Sequence, residues 1–544
     1  MPKKIVEHKI FSKDIRSSLH RSAHFLFGRI LYVLLFVTIQ AAAVILPIIY
    51  AWNHIPYFYL IGIIITFVSA VHILNRDTNP AFKIAWMLPI SIFPIFGGLL
   101  YFMFGARRIG RRLRDMSNDL RAYFKEPSPI KDAREALEKE NNADARVESN
   151  YLSEIGGAPV YQNTDVAFYA SGEEIYEDML DMLRRAKRYI FLEYFIIEEG
   201  IFWDSILEIL IEKVQQGVDV RVLYDDFGCM LTLPLGYDAT LRKYGIQARV
   251  FNPFNTVLSP RPNNRDHPKI CVVDGITAIA GGINLADEYL NRREKFGYWK
   301  DTALILRGDA AWSMTVQFLC VWDRIEGIKE NYAAFLPTAT DRANHMPKKD
   351  VGEPHAEVMG KAPLFVQPYT DIPLDGENVG ESVYFQMITR AKKYVYITTP
   401  YLILTHEMIT ALTTAAKSGI DVRIITPHIP DKKIVFFLTR SYYKPLIERG
   451  VKIYEYTPGF MHSKTVVTDD LFSVVGSINF DYRSLYLHME NAVWMYGEDM
   501  AKKVRDDFLA LQEVSTSATG NEVGRLSLIG KVWRSILRAL SPLF

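Results

Sequence analysis

Charged positions are spread unevenly along the chain, and the gaps between them are the first structural signal. No Lys, Arg, Asp or Glu occurs from Ile30 to Asn75, and none from Ile84 to Ala106. The first gap is broken at Asn53-His54-Ile55-Pro56, a turn-like run between Ile30–Tyr50 and Tyr57–Leu74. Each half is near the length that crosses a hydrocarbon core of about 30 Å at about 1.5 Å per residue. The second gap contains Pro89, Pro94 and Gly97-Gly98, which weaken a straight span. Beyond Arg107 the texture changes. Residues 107–155 are charged and helix-friendly and read as a linker. From about residue 160, helical and strand patterns alternate: Glu173–Arg188 suits an amphipathic helix and Tyr189–Ile197 a buried strand. Ile206–Gln216 suits a helix closed by Gly217, and Val218–Tyr224 a further strand. Such alternation predicts an α/β sheet covered by helices.

The same order then returns. Arg185-Ala-Lys-Arg-Tyr-Ile190 recurs as Arg390-Ala-Lys-Lys-Tyr-Val395, and Gly217-Val-Asp-Val-Arg-Val222 as Gly419-Ile-Asp-Val-Arg-Ile424. A third match, His267-Pro-Lys-Ile-Cys-Val-Val-Asp274 against His462-Ser-Lys-Thr-Val-Val-Thr-Asp469, follows in the same order. Ordered repeats with drifting spacing indicate a duplicated domain. The expected division is 156–337 and 361–515 for the two copies, with a polar linker at 338–360. A duplicated unit tends to pack about a pseudo-twofold axis that brings matching residues together.

Charge settles how the apolar region should lie. Basic residues cluster before the first span (Lys3, Lys4, Lys9, Lys13, Arg16, Arg21, Arg29) and after the third segment (Arg107, Arg108, Arg111, Arg112, Arg114). Both flanks therefore favour the cytoplasmic side. Three full crossings cannot place both there, whereas two crossings plus a re-entrant or interfacial third segment can. The expectation is a basic cytoplasmic N-terminus (1–29), a membrane region (30–106) and cytoplasmic domains beyond it. Over the whole chain 63 basic residues face 62 acidic ones, a net charge of +1, which offers nucleic acid no general attraction. Three scattered cysteines, Cys229, Cys271 and Cys320, make neither a disulfide framework nor a zinc site. At the other end, 523–544 reads as a basic amphipathic helix: Lys531, Arg534 and Arg538 lie opposite Ile529, Val532, Trp533, Ile536, Leu537 and Leu540. It suits a membrane interface or docking on the protein's own body.

The candidate chemistry lies in the third repeat. One His-x-Lys-x4-Asp is a weak pattern, but here it occurs twice. Each copy is followed seven residues after its Asp by a small-residue turn, Gly281-Gly282-Ile-Asn284 and Gly476-Ser477-Ile-Asn479. On a strand, residues i and i+2 share a face, so each His points with its Lys, whereas the Asp has opposite parity and lies near the strand end. His267, Lys269, His462 and Lys464 around one cavity would favour a phosphate and disfavour a divalent metal. Gly282, Asn284, Ser477 and Asn479 are candidates to add neutral donors to phosphate oxygens. One neutral imidazole can attack phosphorus and form a phosphohistidine, while the other serves as general acid and base. The lysines would stabilise the charged oxygens. Each imidazole also needs an acceptor to fix its tautomer, and Asp301 and Glu490 are candidates.

These paired motifs resemble the phospholipase D superfamily. Gly281–Leu290, Gly297–Thr302, Gly459–Lys464 and Gly476–Leu485, with the membrane-proximal Trp86–Gly105 segment, resemble the bacterial cardiolipin synthases in particular. The resemblance covers roughly residues 75–510. It implies two phospholipase D-like domains behind a membrane region, residence in the bacterial inner membrane, phospholipid partners and no cofactor or metal. It also implies condensation of two phosphatidylglycerols into cardiolipin with release of glycerol. The catalytic positions it implies are His267, Lys269, Asp274, His462, Lys464 and Asp469, with His267 as nucleophile and His462 as acid and base, interchangeable on sequence alone. A hydrolase or transphosphatidylase with another donor or acceptor fits both motifs equally, and an oligomer is compatible with the sequence. One departure is Asp266-His267-Pro268-Lys269, where many relatives carry Asn-His-Arg-Lys. A proline there removes a backbone donor and suggests an edge or bulged strand.

Overall fold

The computed structural model describes residues 38, 55–93, 97–98, 100–105, 115–126, 130–253, 264–345, 364–373, 375–521 and 527–543. Two mixed sheets form its body. The first is built from β1 (Thr164–Tyr169), β2 (Tyr189–Tyr194), β3 (Asp219–Asp225), β4 (Gln247–Phe251), β5 (Lys269–Val273), β6 (Thr277–Gly281) and β8 (Ala303–Gly308), in the order β1-β8-β6-β5-β2-β3-β4. The short strand β7 (Tyr298–Lys300) lies outside it. The second sheet uses β9 (Phe365–Asp371), β10 (Tyr394–Thr398), β11 (Asp421–Pro427), β12 (Lys452–Tyr456), β14 (Thr465–Thr468), β15 (Phe472–Gly476) and β16 (Glu490–Tyr496). Its order is β9-β16-β15-β14-β10-β11-β12, with β17 (Ser515–Ser517) added at the edge. The orders match strand for strand, and the sequence repeats fall on matching strands: β2 with β10, β3 with β11, β5 with β14. The chain is thus α/β with two like domains.

Three apolar cores hold these layers. One lies within each domain, and the third is shared, joining Phe191, Ile270 and Leu304 of the first sheet to Val366, Val467 and Val493 of the second. The helix Ala310–Glu326 fills this shared core and is buried on nearly every side, including Trp312, Phe318 and Trp322. Burying aromatic side chains of this size removes large apolar areas from water, so the two domains pack as one body.

Several expectations change in the structure. The span 107–155 is not a free connector: Met116–Lys125, Arg134–Lys139 and Ala143–Glu154 are helices docked on the body. Met116 and Leu120 enter the shared core and Leu137, Ala145 and Leu152 the second domain's core, an apolar stripe that the high charge of the segment conceals. The start of 338–360 is docked too, as the helix Ala339–His345 with Asp341 and His345 buried, while 346–360 lies outside the described residues. The proline-bearing strand is not an edge, because β5 pairs with both β2 and β6. Pro268 costs nothing there, since the ladder begins at Lys269.

The basic N-terminus 1–29 and, apart from Thr38, the first predicted span lie outside the described residues. The second predicted span is a helix, Ile55–Leu74, without a Lys, Arg, Asp or Glu. Its exposed side chains include Leu60, Ile61, Ile63, Ile64 and Phe67. Among the described residues no helix is long and apolar enough to cross a membrane. The third segment is no continuous rod: a helix runs Pro80–Ile92, and Gly97 lies so close to the Pro89 carbonyl that a Cβ there would approach its oxygen to 2.5 Å. At the other end, the helix Leu528–Leu540 docks on the body by part of its surface. Leu537 is buried and Arg538 covers the Tyr442 ring, whereas Leu528 and Ile529 are 79% and 82% exposed.

Candidate active site

The two halves cross at the site. Ahead of each motif the chain bonds the other domain: the His267 N–H donates to the Met489 carbonyl (3.0 Å) and the His462 N–H to the Lys300 carbonyl (2.7 Å). Two short pairings frame these bonds, Asp266 with Met489 and Gly459–Met461 (β13) with β7. Such reciprocity is what an isologous pairing of duplicated halves produces. Each histidine then meets the carboxylate of the opposite domain. His267 Nδ1 lies 2.8 Å from Glu490 Oε2, and His462 Nδ1 lies 2.5 Å from Asp301 Oδ2. Both carboxylates are fully buried, and each imidazole is held through its Nδ1. Asp301 and Glu490, candidates on sequence, are therefore both brought to the site.

Lys269 and Lys464 are buried beside them, and each Nζ donates to the carbonyl of its own motif's histidine. Burial lowers the Lys269 ammonium to about 7 and that of Lys464 to about 8, against the opposing pull of Glu490 and Asp301. Burial also lowers His462 to about 4 and His267 well below its usual range, with the lysines adding to the effect. Lys464 and His462 act on His267, and Lys269 acts on His462, so the groups of the two halves share one electrostatic site. The carboxylates differ. Burial raises Glu490 to about 7, whereas at Asp301 burial is outweighed by Lys464 and His462, which hold it below the ordinary range. Two lysines and two neutral imidazoles gathered in one buried site attract an anion. His267, His488 and Glu490 bring ligand atoms within 4.8 Å of one another, a spacing a metal could use. The adjacent Lys269 and the existing His267–Glu490 bond oppose a cation there.

Asp274 and Asp469 stand elsewhere. Each follows its strand in a left-handed conformation (φ 51° and 57°), which aspartate tolerates better than most residues. The Asp274 carboxylate accepts the N–H groups of Lys187, Arg188 and Tyr189 at 2.8–2.9 Å, with His345 Nε2 at 2.9 Å. Asp469 accepts those of Lys392, Lys393 and Tyr394 at 2.7–3.0 Å. The repeated spacing thus ties the third repeat to the first: the motif's aspartate closes the backbone that opens β2 or β10. Neither carboxylate joins the imidazoles.

The small-residue turns also have other duties. Asn284 accepts from the Ile196 N–H and donates to the Tyr289 hydroxyl, and Asn479 donates to Ser484. Both brace the loops behind the site. A Cβ on Gly282 would come within 2.0 Å of Asp301 Oδ1, so the absent side chain is the space the carboxylate fills. Ser477, its counterpart, instead donates to Glu490 Oε2.

Sequence reasoning gave no role to the rings around the histidines. His462 is enclosed by Tyr289, Trp299 and Phe460, at ring distances of 5.6, 5.3 and 5.7 Å. His267 has Phe195 at 4.9 Å and His488 at 5.6 Å. Aligning the two repeats beyond their motifs exposes this contrast, because Met489 and Lys300 are counterparts and so, one residue earlier, are His488 and Trp299.

Two matches decide the family. A sequence profile described as "Cardiolipin synthase, PLD-like domain" matches residues 179–306 and 384–512, and the cardiolipin synthase of Geobacillus thermodenitrificans is 34% identical over 490 residues, 89% of this chain and 93% of that one. The chain belongs to the cardiolipin synthases of the phospholipase D superfamily. The cardiolipin synthase of Halalkalibacterium halodurans is 32% identical over 490 residues, again 89% of this chain and 93% of its own. A Streptococcus mutans protein without an assigned function is 40% identical over 481 residues, 87% of this chain and 99% of its own. A profile described as "Phospholipase_D-nuclease N-terminal" matches 64–105, across parts of the helices Ile55–Leu74 and Pro80–Ile92 of this cardiolipin synthase family member. The crystal structure of phosphatidylserine synthase from Haemophilus influenzae shares the fold, with a TM-score of 0.54 at 18% identity over 74% of this chain and 98% of that one.

Proposed function

We propose that this cardiolipin synthase condenses two phosphatidylglycerol molecules into cardiolipin and glycerol through a phosphohistidine. The observation that carries the reading is the pair of crossed imidazole–carboxylate contacts with a buried lysine beside each. His267 Nε2 attacks phosphorus, the bond from phosphorus to the headgroup oxygen breaks, and the His462 imidazolium protonates the departing glycerol. His462, now neutral, takes the proton of the acceptor hydroxyl. That oxygen attacks phosphorus, and the P–N bond breaks to free His267. Burial lowers His462 to about 4, but Asp301, ionised beside it, pulls the other way and, with the anionic phosphodiester bound, favours the imidazolium this role requires, which supports His462 as acid and base. Lys269 and Lys464 balance the charge on the non-bridging oxygens.

The enzyme works at the bacterial inner membrane with its two domains in the cytoplasm, attached through its N-terminal apolar region. The exposed apolar faces of Ile55–Leu74 and of the start of Leu528–Leu540 support the attachment. Purified, detergent-solubilised protein given phosphatidylglycerol alone should yield cardiolipin and free glycerol by lipid mass spectrometry. His267→Ala and His462→Ala should each abolish both. Phosphatidic acid as the sole product would replace transfer by hydrolysis, and a strict requirement for a nucleotide-linked lipid would reject the reaction.

A further inference from the structure

The catalytic groups are duplicated faithfully, but the residues around them are not. Register across the two halves makes Arg265, Arg483 and His488 the counterparts of Phe460, Glu288 and Trp299. The equivalence of Arg483 with Glu288 follows from matching loop braces, Asn479 to Ser484 and Asn284 to Tyr289. One flank of the site is therefore aromatic and acidic, and the flank beside His267 carries two guanidinium groups and a third imidazole. We propose that His488, Arg483 and Arg265 form a second anion subsite that holds the intact phosphodiester of the acceptor lipid while the donor's phosphorus reacts between His267 and His462.

Three features support a ligand there. His488 has a side chain only 12% exposed, yet neither of its buried ring nitrogens has a hydrogen-bond partner. Leaving such atoms unmade is costly, and a bound oxygen anion supplies an acceptor. Arg483 is partly buried, makes no ion pair among the described residues, and reaches only the Leu543 carbonyl at 3.5 Å. Arg265, 2% exposed, is held by the Asn252 carbonyl at 3.4 Å, Asp225 at 3.6 Å and the Phe227 ring, and adds a buried positive charge beside His488. Burial first, then His267, Arg483, Lys269 and Arg265, lowers His488 well below its usual range, so these groups act on one another. A neutral imidazole can offer one N–H to a phosphate oxygen and its second nitrogen to a hydroxyl. The negative groups nearby are Asp225, Asp226, Asp481 and Glu490. Burial raises Asp225 and Asp481 to about 6 and Glu490 to about 7, and the neighbouring cations oppose that rise.

The location favours a lipid over free phosphate. Arg483 lies between Tyr482 and Tyr486, which pack on Phe82 of the membrane-proximal helix, and its one carbonyl partner, Leu543, follows the C-terminal amphipathic helix. Arg483 thus sits where the two apolar elements of the chain meet the domain. His488 stands 5.6 Å from His267 ring to ring, beside the reacting phosphorus rather than on it. Cardiolipin carries two phosphodiesters joined by one glycerol, so two adjacent anion sites match the product.

The inference rests on the proposed condensation, and two half-reactions separate them. Exchange of labelled glycerol into phosphatidylglycerol needs only the donor phosphate; condensation needs both. With phosphatidylglycerol in mixed micelles, Arg483→Gln and His488→Asn should each lower the ratio of condensation to exchange by roughly tenfold or more, the scale of one charge-assisted hydrogen bond. Exchange in the same samples reports that the variants are folded. An unchanged ratio would overturn the subsite. Exchange without condensation in the unaltered enzyme would instead overturn the condensation reading. Inorganic phosphate tests the other source: competition by phosphate, with condensation indifferent to acceptor-lipid concentration, would assign the subsite to the free ion and reject the lipid.

Discussion

Asp301→Asn should behave as a lesion of His462, although Asp301 belongs to the first domain and His462 to the second. The 2.5 Å contact between His462 Nδ1 and Asp301 Oδ2 lies among fully buried groups, and Asp301 also accepts the Thr302 N–H at 2.9 Å. A hydrogen bond to a buried charged group contributes about 1.5–3 kcal/mol, which corresponds to roughly 10- to 150-fold in rate. Asparagine can present its N–H to Nδ1 and force the wrong tautomer, so the loss should reach or exceed the upper end of that range. Glu490→Gln should act on His267 by the same logic through their 2.8 Å contact. The two variants then separate in a trapping experiment. A diester with a leaving group that needs no protonation should phosphorylate His267 in Asp301→Asn, and the adduct should persist because the step that needs His462 as base is slow. Glu490→Gln should form little adduct. Peptide mass spectrometry locates the phosphoryl group. An adduct on His462, or one that accumulates in Glu490→Gln rather than Asp301→Asn, would refute the assignment of roles.

Gly282→Ala should reproduce much of the Asp301→Asn defect in the transfer assay, because its Cβ would press to 2.0 Å from Asp301 Oδ1. Ser477→Gly, which removes one hydrogen bond to Glu490 and adds no bulk, should be milder. The efficiency kcat/KM should fall as pH rises through about 7 to 8, where Lys269 and Lys464 lose their protons. Bound anion should move that limb upward in kcat. Stability should respond with the opposite sign: from about 7 to the ordinary lysine value of 10.5 the unfolded chain binds more protons than the folded one. These two groups therefore make the fold more stable as pH rises, and Lys269→Met should raise the unfolding midpoint while abolishing transfer. Asp469→Ala leaves the N–H groups of Lys392, Lys393 and Tyr394 without their acceptor, at about 1–3 kcal/mol each. Calorimetry should show a lower unfolding midpoint, and the fraction that remains folded should keep its turnover within a few-fold.

Much of this protein could be read from local pattern. The apolar gaps, the α/β alternation, the ordered repeats and the doubled His-x-Lys-x4-Asp are all written within short windows of chain, where side-chain period and spacing carry the information. The helices at 116–154 were hidden because a charged segment with a narrow apolar stripe looks like a linker until something packs against the stripe. The aspartates illustrate the same limit. Their spacing places them near a strand end, but only the fold gives Asp274 three backbone N–H groups 85 to 87 positions away and the imidazole of His345 beyond them. Which carboxylate orients which imidazole is a matter of contacts 161 and 223 positions apart, made across two domains. Sequence alone named the reacting residue types and showed that they came in pairs. The tertiary structure decided their partners and made the two flanks of the site unequal, because burial, charge balance and hydrogen-bond pairing arise only where distant segments meet.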